Sequence, residues 1–149
     1  MPELTDEVHK QIKALCKQAQ HLAQQGDYVG AEEFLWGAWD LLPEPQTEWE
    51  AATFILGSVG DMNFLAGKFE AGRDNLSSVM NCPDAIGNPF LHFRLAQCEY
   101  ELGDRHNSAQ EFARAYMGSG AELFRDADPK YYDFLKSSLA TPTDGWEEL

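Results

Sequence analysis

The chain has 149 residues, enough for one core that buries about 70% of the surface its unfolded form would expose. Its 25 acidic and 11 basic residues give a formal charge of −14, which opposes electrostatic binding to a nucleic-acid backbone or an anionic membrane. Aromatic residues at 12%, with four tryptophans, argue against the disorder that so much charge could otherwise bring.

The amino-terminal stretch Met1-Pro2-Glu3-Leu4-Thr5-Asp6-Glu7 has neither the basic start nor the apolar centre of a secretory signal. No later stretch approaches the roughly 18 apolar residues of a membrane span, so a cytoplasmic protein is expected. Cys16, Cys82 and Cys98 are odd in number, lack Cys-x-x-Cys spacing and read as reduced thiols among helix formers.

Ile12, Leu15, Ala19 and Leu22 recur at three- and four-residue spacing and predict an amphipathic first helix, stopped by Gly26. Ala31, Phe34, Leu35, Ala38 and Leu42 form the facing stripe of a second helix, ended by Pro43-Glu44-Pro45. Thr47 with Glu50 has the form of a capping box and opens a third helix through Ala51, Phe54, Ile55, Val59 and Met62 to Gly67. Its partner carries Phe69, Leu76 and Val79 and stops near Asn81-Cys82-Pro83.

After Asn88-Pro89, a helix bearing Phe90, Leu91, Phe93, Leu95, Ala96 and Leu102 leads to Gly103, and its return helix uses Ala109, Phe112, Ala113 and Tyr116. Gly118 and Gly120 then interrupt the pattern, and Asp128-Pro129 opens a last helix with Tyr131, Tyr132, Phe134 and Leu135. Residues 141–149, with Pro142, Gly145 and two glutamates near the end, read as a flexible acidic tail.

The turns repeat. Gly26-Asp27-Tyr28-Val29-Gly30-Ala31 returns as Gly67-Lys68-Phe69-Glu70-Ala71-Gly72 and as Gly103-Asp104-Arg105-His106-Asn107-Ser108, at spacings of 41 and 36 residues. The hairpins resemble tetratricopeptide repeats. Gly26, Asp27, Tyr28, Ala31, Ala38 and Pro43 follow the expected order in the first; the second has Gly72 where alanine is usual, and Arg105 replaces the usual aromatic in the third. The resemblance implies an all-α fold of antiparallel hairpins stacked as a short superhelix. Repeats are expected at about 12–45, 47–86 and 89–120, with a carboxyl-terminal helix at about 129–139, in a single domain over 1–140.

Catalytic signatures are missing. His9, His21, His92 and His106 are isolated, without His-Glu-x-x-His or zinc-ligand spacing. Gly57-Ser58-Val59-Gly60 lacks Gly-x-Ser-x-Gly order, and its small residues suit close helix approach. No Gly-Lys-Ser/Thr loop is present, and pairs such as Glu32-Glu33 read as solvated faces. A non-enzymatic protein with no cofactor and no metal is expected.

The concave side of such an array is lined by the first helix of each hairpin, here Lys13, Cys16, Gln20, Phe54, Asp61, Phe64, Phe90, Phe93, Gln97, Tyr100 and Glu101. Aromatic anchors among carboxylates suit a basic protein partner. The candidate partner-binding residues are Asp61, Phe64, Phe93, Gln97, Tyr100 and Glu101, with Trp39 and Asp40 from the tryptophan-rich turn that also holds Trp36 and Trp49. The stretches at 88–95, 114–117 and 128–136 resemble small bacterial tetratricopeptide proteins similar to immunity proteins of polymorphic toxin systems. That resemblance implies binding and occlusion of a cognate basic toxin domain, as a monomer or weak homodimer. The alternative is a secretion chaperone, or an adaptor, holding a partner in the groove.

Overall fold

The computed structural model describes residues 3–149; Met1 and Pro2, the start of the amino-terminal stretch read above, lie outside the described residues. Among the described residues there are seven α-helices and two short 3-10 turns, and no strand: α1 (Asp6–Gln24), α2 (Tyr28–Asp40), α3 (Glu50–Leu65), α4 (Phe69–Val79), α5 (Pro89–Glu101), α6 (Arg105–Ser119) and α7 (Pro129–Ser138). None of these helices is long and apolar enough to cross a membrane.

Local chemistry fixes the helix starts. Thr5 Oγ1 accepts from Val8 N–H, Asp27 Oδ1 from Gly30 N–H at 2.9 Å, and Asp104 Oδ1 from Asn107 N–H at 3.3 Å. Asn88 caps Phe90 and Leu91, with Pro89 already at the first helical position. Each cap satisfies an amide that the helix itself leaves unpaired and contributes about 1 kcal/mol. The three repeat glycines, Gly26, Gly67 and Gly103, lie at φ +83°, +77° and +85°, the left-handed geometry that ends the first helix of each hairpin.

One start differs from expectation. Thr47 and Glu50 form no capping box: residues Gln46–Glu48 make a 3-10 turn, and α3 begins after Trp49 without a side-chain cap. The Trp49 indole N–H instead donates to Pro43 O at 2.7 Å, tying this turn to the proline-rich stop of α2.

The chain divides into two compact units, Met1–Ala85 and Ile86–Leu149. The first holds the hairpins α1/α2 and α3/α4, with α2 packed on α3. Ala31, Ala38, Ala52, Ile55, Val59 and Leu76 are completely buried, small residues alternating with branched ones so that the helices approach closely. Asn75 Nδ2 donates to the Asn63 side chain at 2.8 Å across α4 and α3, and Thr53 Oγ1 donates to Pro83 O at 2.6 Å.

The second unit holds the hairpin α5/α6, a 3-10 turn at Glu122–Phe124 and α7. Its core is aromatic: Phe93, Phe112, Phe124, Tyr131 and Tyr132 interlock with ring centroids 4.9 to 5.7 Å apart in tilted and edge-to-face pairs. Ser108 Oγ, fully buried, donates to Ala96 O at 2.8 Å. Residues 141–149 have no regular structure, and two of them make contacts with the unit. Trp146 packs on Tyr116 and Tyr132, and Glu147 accepts from the Ala121 amide at 3.0 Å, because an indole and a carboxylate here find an aromatic slot and an open donor.

Candidate functional site

In α1, Ile12 and Ala19 are buried, leaving a second stripe at Lys13, Cys16, Lys17, Gln20 and Gln24. In α3, Phe54, Ser58, Asp61, Met62 and Leu65 follow the same three- and four-residue spacing. These two stripes face one another across a cavity of about 770 Å³, floored by Tyr28 and Leu35 of α2. That is within the size of a ligand pocket and takes several side chains of a partner.

Its chemistry is mostly apolar with charge at the rim. Phe54 is 62% exposed and Leu65 38%, beside buried Ala19, Leu35 and Met62. Lys13 and Lys17 supply positive charge on the α1 wall of an otherwise acidic chain, and Asp61 negative charge on the α3 wall. Burial pushes the Cys16 thiol up, so it stays protonated and is a poor nucleophile.

Five residues read from the sequence as groove-lining are brought together here: Lys13, Cys16, Gln20, Phe54 and Asp61. Lys17, Ala23, Gln24, Tyr28, Ser58, Met62 and Leu65 were not foreseen. Lys17 and Gln24 stand four residues after Lys13 and Gln20, and Ser58 and Met62 continue the row from Phe54, so extending the helical spacing would have found them. Phe64 leaves this row and packs on Phe69, 5.7 Å between centroids.

The matching stripe of α5 is covered. Phe93 and Gln97 are 3% and 2% exposed, so neither offers a face to a partner. Phe93 packs on Phe112 and Phe124, and Gln97 accepts from Arg94 at 2.8 Å. Tyr100 packs against Tyr131 and Phe134 of α7, with the Arg105 guanidinium 4.0 Å from its ring centroid. Arg105, which departs from the repeat pattern, thus meets an aromatic ring instead of supplying one. Glu101 accepts from Tyr131 Oη and Lys130 Nζ, both at 2.7 Å. Three of the four are met by the following elements: Phe93 by Phe124 of the 3-10 turn, Tyr100 and Glu101 by α7.

Trp39 is half-buried and meets Trp36 edge-to-face at 6.3 Å, while Asp40 is exposed at the end of α2. The Trp36 indole donates to Glu32 at 3.0 Å, and Gln46 Nε2 donates to Trp39 O at 2.9 Å. These contacts join the end of α2 to the following turn and lie apart from the cavity lining.

His92 shows how the polar interior is used. The Gly87 amide donates to Nε2 at 2.9 Å, which assigns the proton to Nδ1, and Nδ1–H donates to Glu111 at 2.5 Å. Arg114 also bonds Glu111. Both ring nitrogens are committed to holding the α5 entry turn against α6. Among the described residues no cluster of three metal-ligating side chains occurs.

No protein-family model matches the sequence, and no curated protein matches it either. A solved structure does: the Yersinia enterocolitica type III secretion chaperone SycD, in complex with a peptide of the translocator YopD. The likeness has a TM-score of 0.68 at 14% identity and covers 91% of this chain and 95% of that one. This chain has a helical-repeat fold like that of the chaperone. At so low an identity the likeness establishes the fold, and the site must be argued from its own side chains.

Proposed function

We propose that the chain is a protein-binding module without chemistry of its own, which holds an extended segment of a partner protein between α1 and α3, as a secretion chaperone would. The observation that carries this reading is the 770 Å³ cavity with Phe54 standing exposed at its edge and Lys13 and Lys17 on one wall. An extended segment with apolar residues for the Phe54–Leu65 wall and an acidic residue for the lysines fits that lining. The peptide-bound state named for SycD supports the reading.

Of the two readings, toxin neutralisation and a secretion chaperone, the chaperone alternative is the better supported, by the likeness to SycD in its peptide-bound state. The test is a photo-crosslinking side chain at position 54, with Met117, 85% exposed on α6, as the control position. Adducts at position 54 that map to one short segment of a partner, with none at 117, are expected. A partner that is bound one-to-one as a folded basic domain through another face would instead support toxin neutralisation.

A further inference from the structure

The second unit contains another built site, independent of the α1/α3 groove. Tyr116 of α6, Tyr132 of α7 and the Gly120–Ala121 turn enclose a slot, and the chain's own residues 146 and 147 occupy it. The Trp146 ring lies 5.1 Å from Tyr116 at 67° and 6.3 Å from Tyr132 at 87°, edge-to-face with both. Glu147 is read at every polar atom but one: its N–H donates to Tyr116 Oη at 2.9 Å, its carbonyl accepts from Tyr132 Oη, and carboxylate Oε1 accepts from the Ala121 amide at 3.0 Å.

Gly120 explains the fit. Its φ is +62°, and a Cβ there would stand 2.3 Å from Glu147 Oε1, so only glycine leaves room for the carboxylate. The contacts come from a segment with no regular structure, reached from α7 through residues 139–145. Half-buried Trp146 and three hydrogen bonds hold it, each such bond being worth about 1 kcal/mol net.

We infer that this slot is a second recognition site, specific for an aromatic residue followed directly by an acidic one, which the chain's own Trp146-Glu147 keeps closed until a partner segment of the same chemistry displaces it. The seated dipeptide shows what the slot accepts. Lys136 Nζ, 4.7 Å from the Tyr132 ring centroid, adds positive charge beside it. The occupant proposed is such a segment of a different protein, because a second copy at −14 would meet charge repulsion, and the experiment separates the two.

The experiment uses a fluorescein-labelled peptide of residues 141–149 and the full chain, native and as the double variant W146A/E147A, which removes the indole and the carboxylate from the slot without altering its walls. Fluorescence anisotropy should show saturable one-to-one binding to the variant, at least about ten-fold tighter than to the native chain, whose own tail competes at high effective concentration. A peptide with alanine in place of tryptophan should not bind. The inference is overturned if the variant keeps its helical circular dichroism and does not bind, or if both chains bind equally. A doubling of mass with the peptide unable to compete would show tail exchange between copies and also overturn it. Should the double variant unfold, hydrogen exchange on the native chain decides: the Glu147 amide should exchange at least about 100-fold faster than the Phe112 amide, and equal protection would contradict a displaceable closure.

Discussion

Gly60 of α3 lies so close to Leu76 of α4 that a Cβ on the glycine would stand 2.4 Å from Leu76 Cγ, and Leu76 is fully buried. Gly60 therefore sets the spacing of this helix pair. Gly60→Ala should lower stability by about 1–3 kcal/mol through overpacking, read as a reduced denaturant midpoint. Gly118→Ala, whose Cβ would stand 2.5 Å from Pro89 Cγ, should act likewise in the second unit. Unchanged midpoints would mean that these helices shift freely.

Phe54 and Phe93 should respond in opposite ways to truncation. Phe54→Ala removes an exposed ring and should weaken partner binding by more than about 1 kcal/mol while leaving the melting temperature unchanged. Phe93→Ala opens a cavity among Phe112 and Phe124 and should cost about 3–5 kcal/mol of stability. Calorimetry of binding and thermal melts of both variants check this, and a purely binding defect for Phe93→Ala would contradict its placement.

Acid should weaken the α5–α7 contact through Glu101. Burial alone would raise its carboxyl, but hydrogen bonds from Lys130 and Tyr131 and the charge of Lys130 outweigh this and hold it below its ordinary 4.5. A carboxyl lowered by folding stabilises above its unfolded value, and that gain is lost as pH falls through the folded one. The native chain should therefore exceed Glu101→Gln in denaturant midpoint at neutral pH, and the difference should vanish on acidification below the usual carboxylate range. A pH-independent difference would remove the ion pair from the explanation.

Alkali should release the tail. The Tyr132 hydroxyl is pushed up to about 12, first by burial, then by the charge and hydrogen bond of Tyr116 and the charge of Glu147. Stability from this group is complete below the ordinary value of 10.0 and is lost as pH rises towards 12. Ultraviolet titration should show two late-ionising tyrosines in the native chain, Tyr131, which burial and the hydrogen bond to Glu101 push higher still, and Tyr132; only the Tyr132 step should be missing in Tyr132→Phe, with indole emission changing over that step unless Trp146 is replaced.

The local grammar of the repeats was legible. Gly26, Gly67 and Gly103 mark turns that need a left-handed residue, and Asp27, Asn88 and Asp104 stand one residue before the helices they cap. The α1 and α3 stripes could be drawn because apolar spacing shows which faces each helix buries. It does not show which element covers a further stripe, so Phe93, Gln97, Tyr100 and Glu101 read as open although Phe93 and Gln97 are buried and Tyr100 and Glu101 meet α7. Trp146 was illegible for the same reason: a lone indole in a polar segment gives no periodic signal, and its burial depends on Tyr116 and Tyr132, distant in sequence.

Crosslinking from position 54 in the native host, followed by mapping of the adduct, tests the α1/α3 groove most directly. One partner should be captured through a short extended segment, and Lys13→Glu with Lys17→Glu should abolish the adduct without loss of helicity. Failure to crosslink at 54, with capture of the same partner from Asp40 or Met117, would place the binding surface elsewhere and contradict the groove.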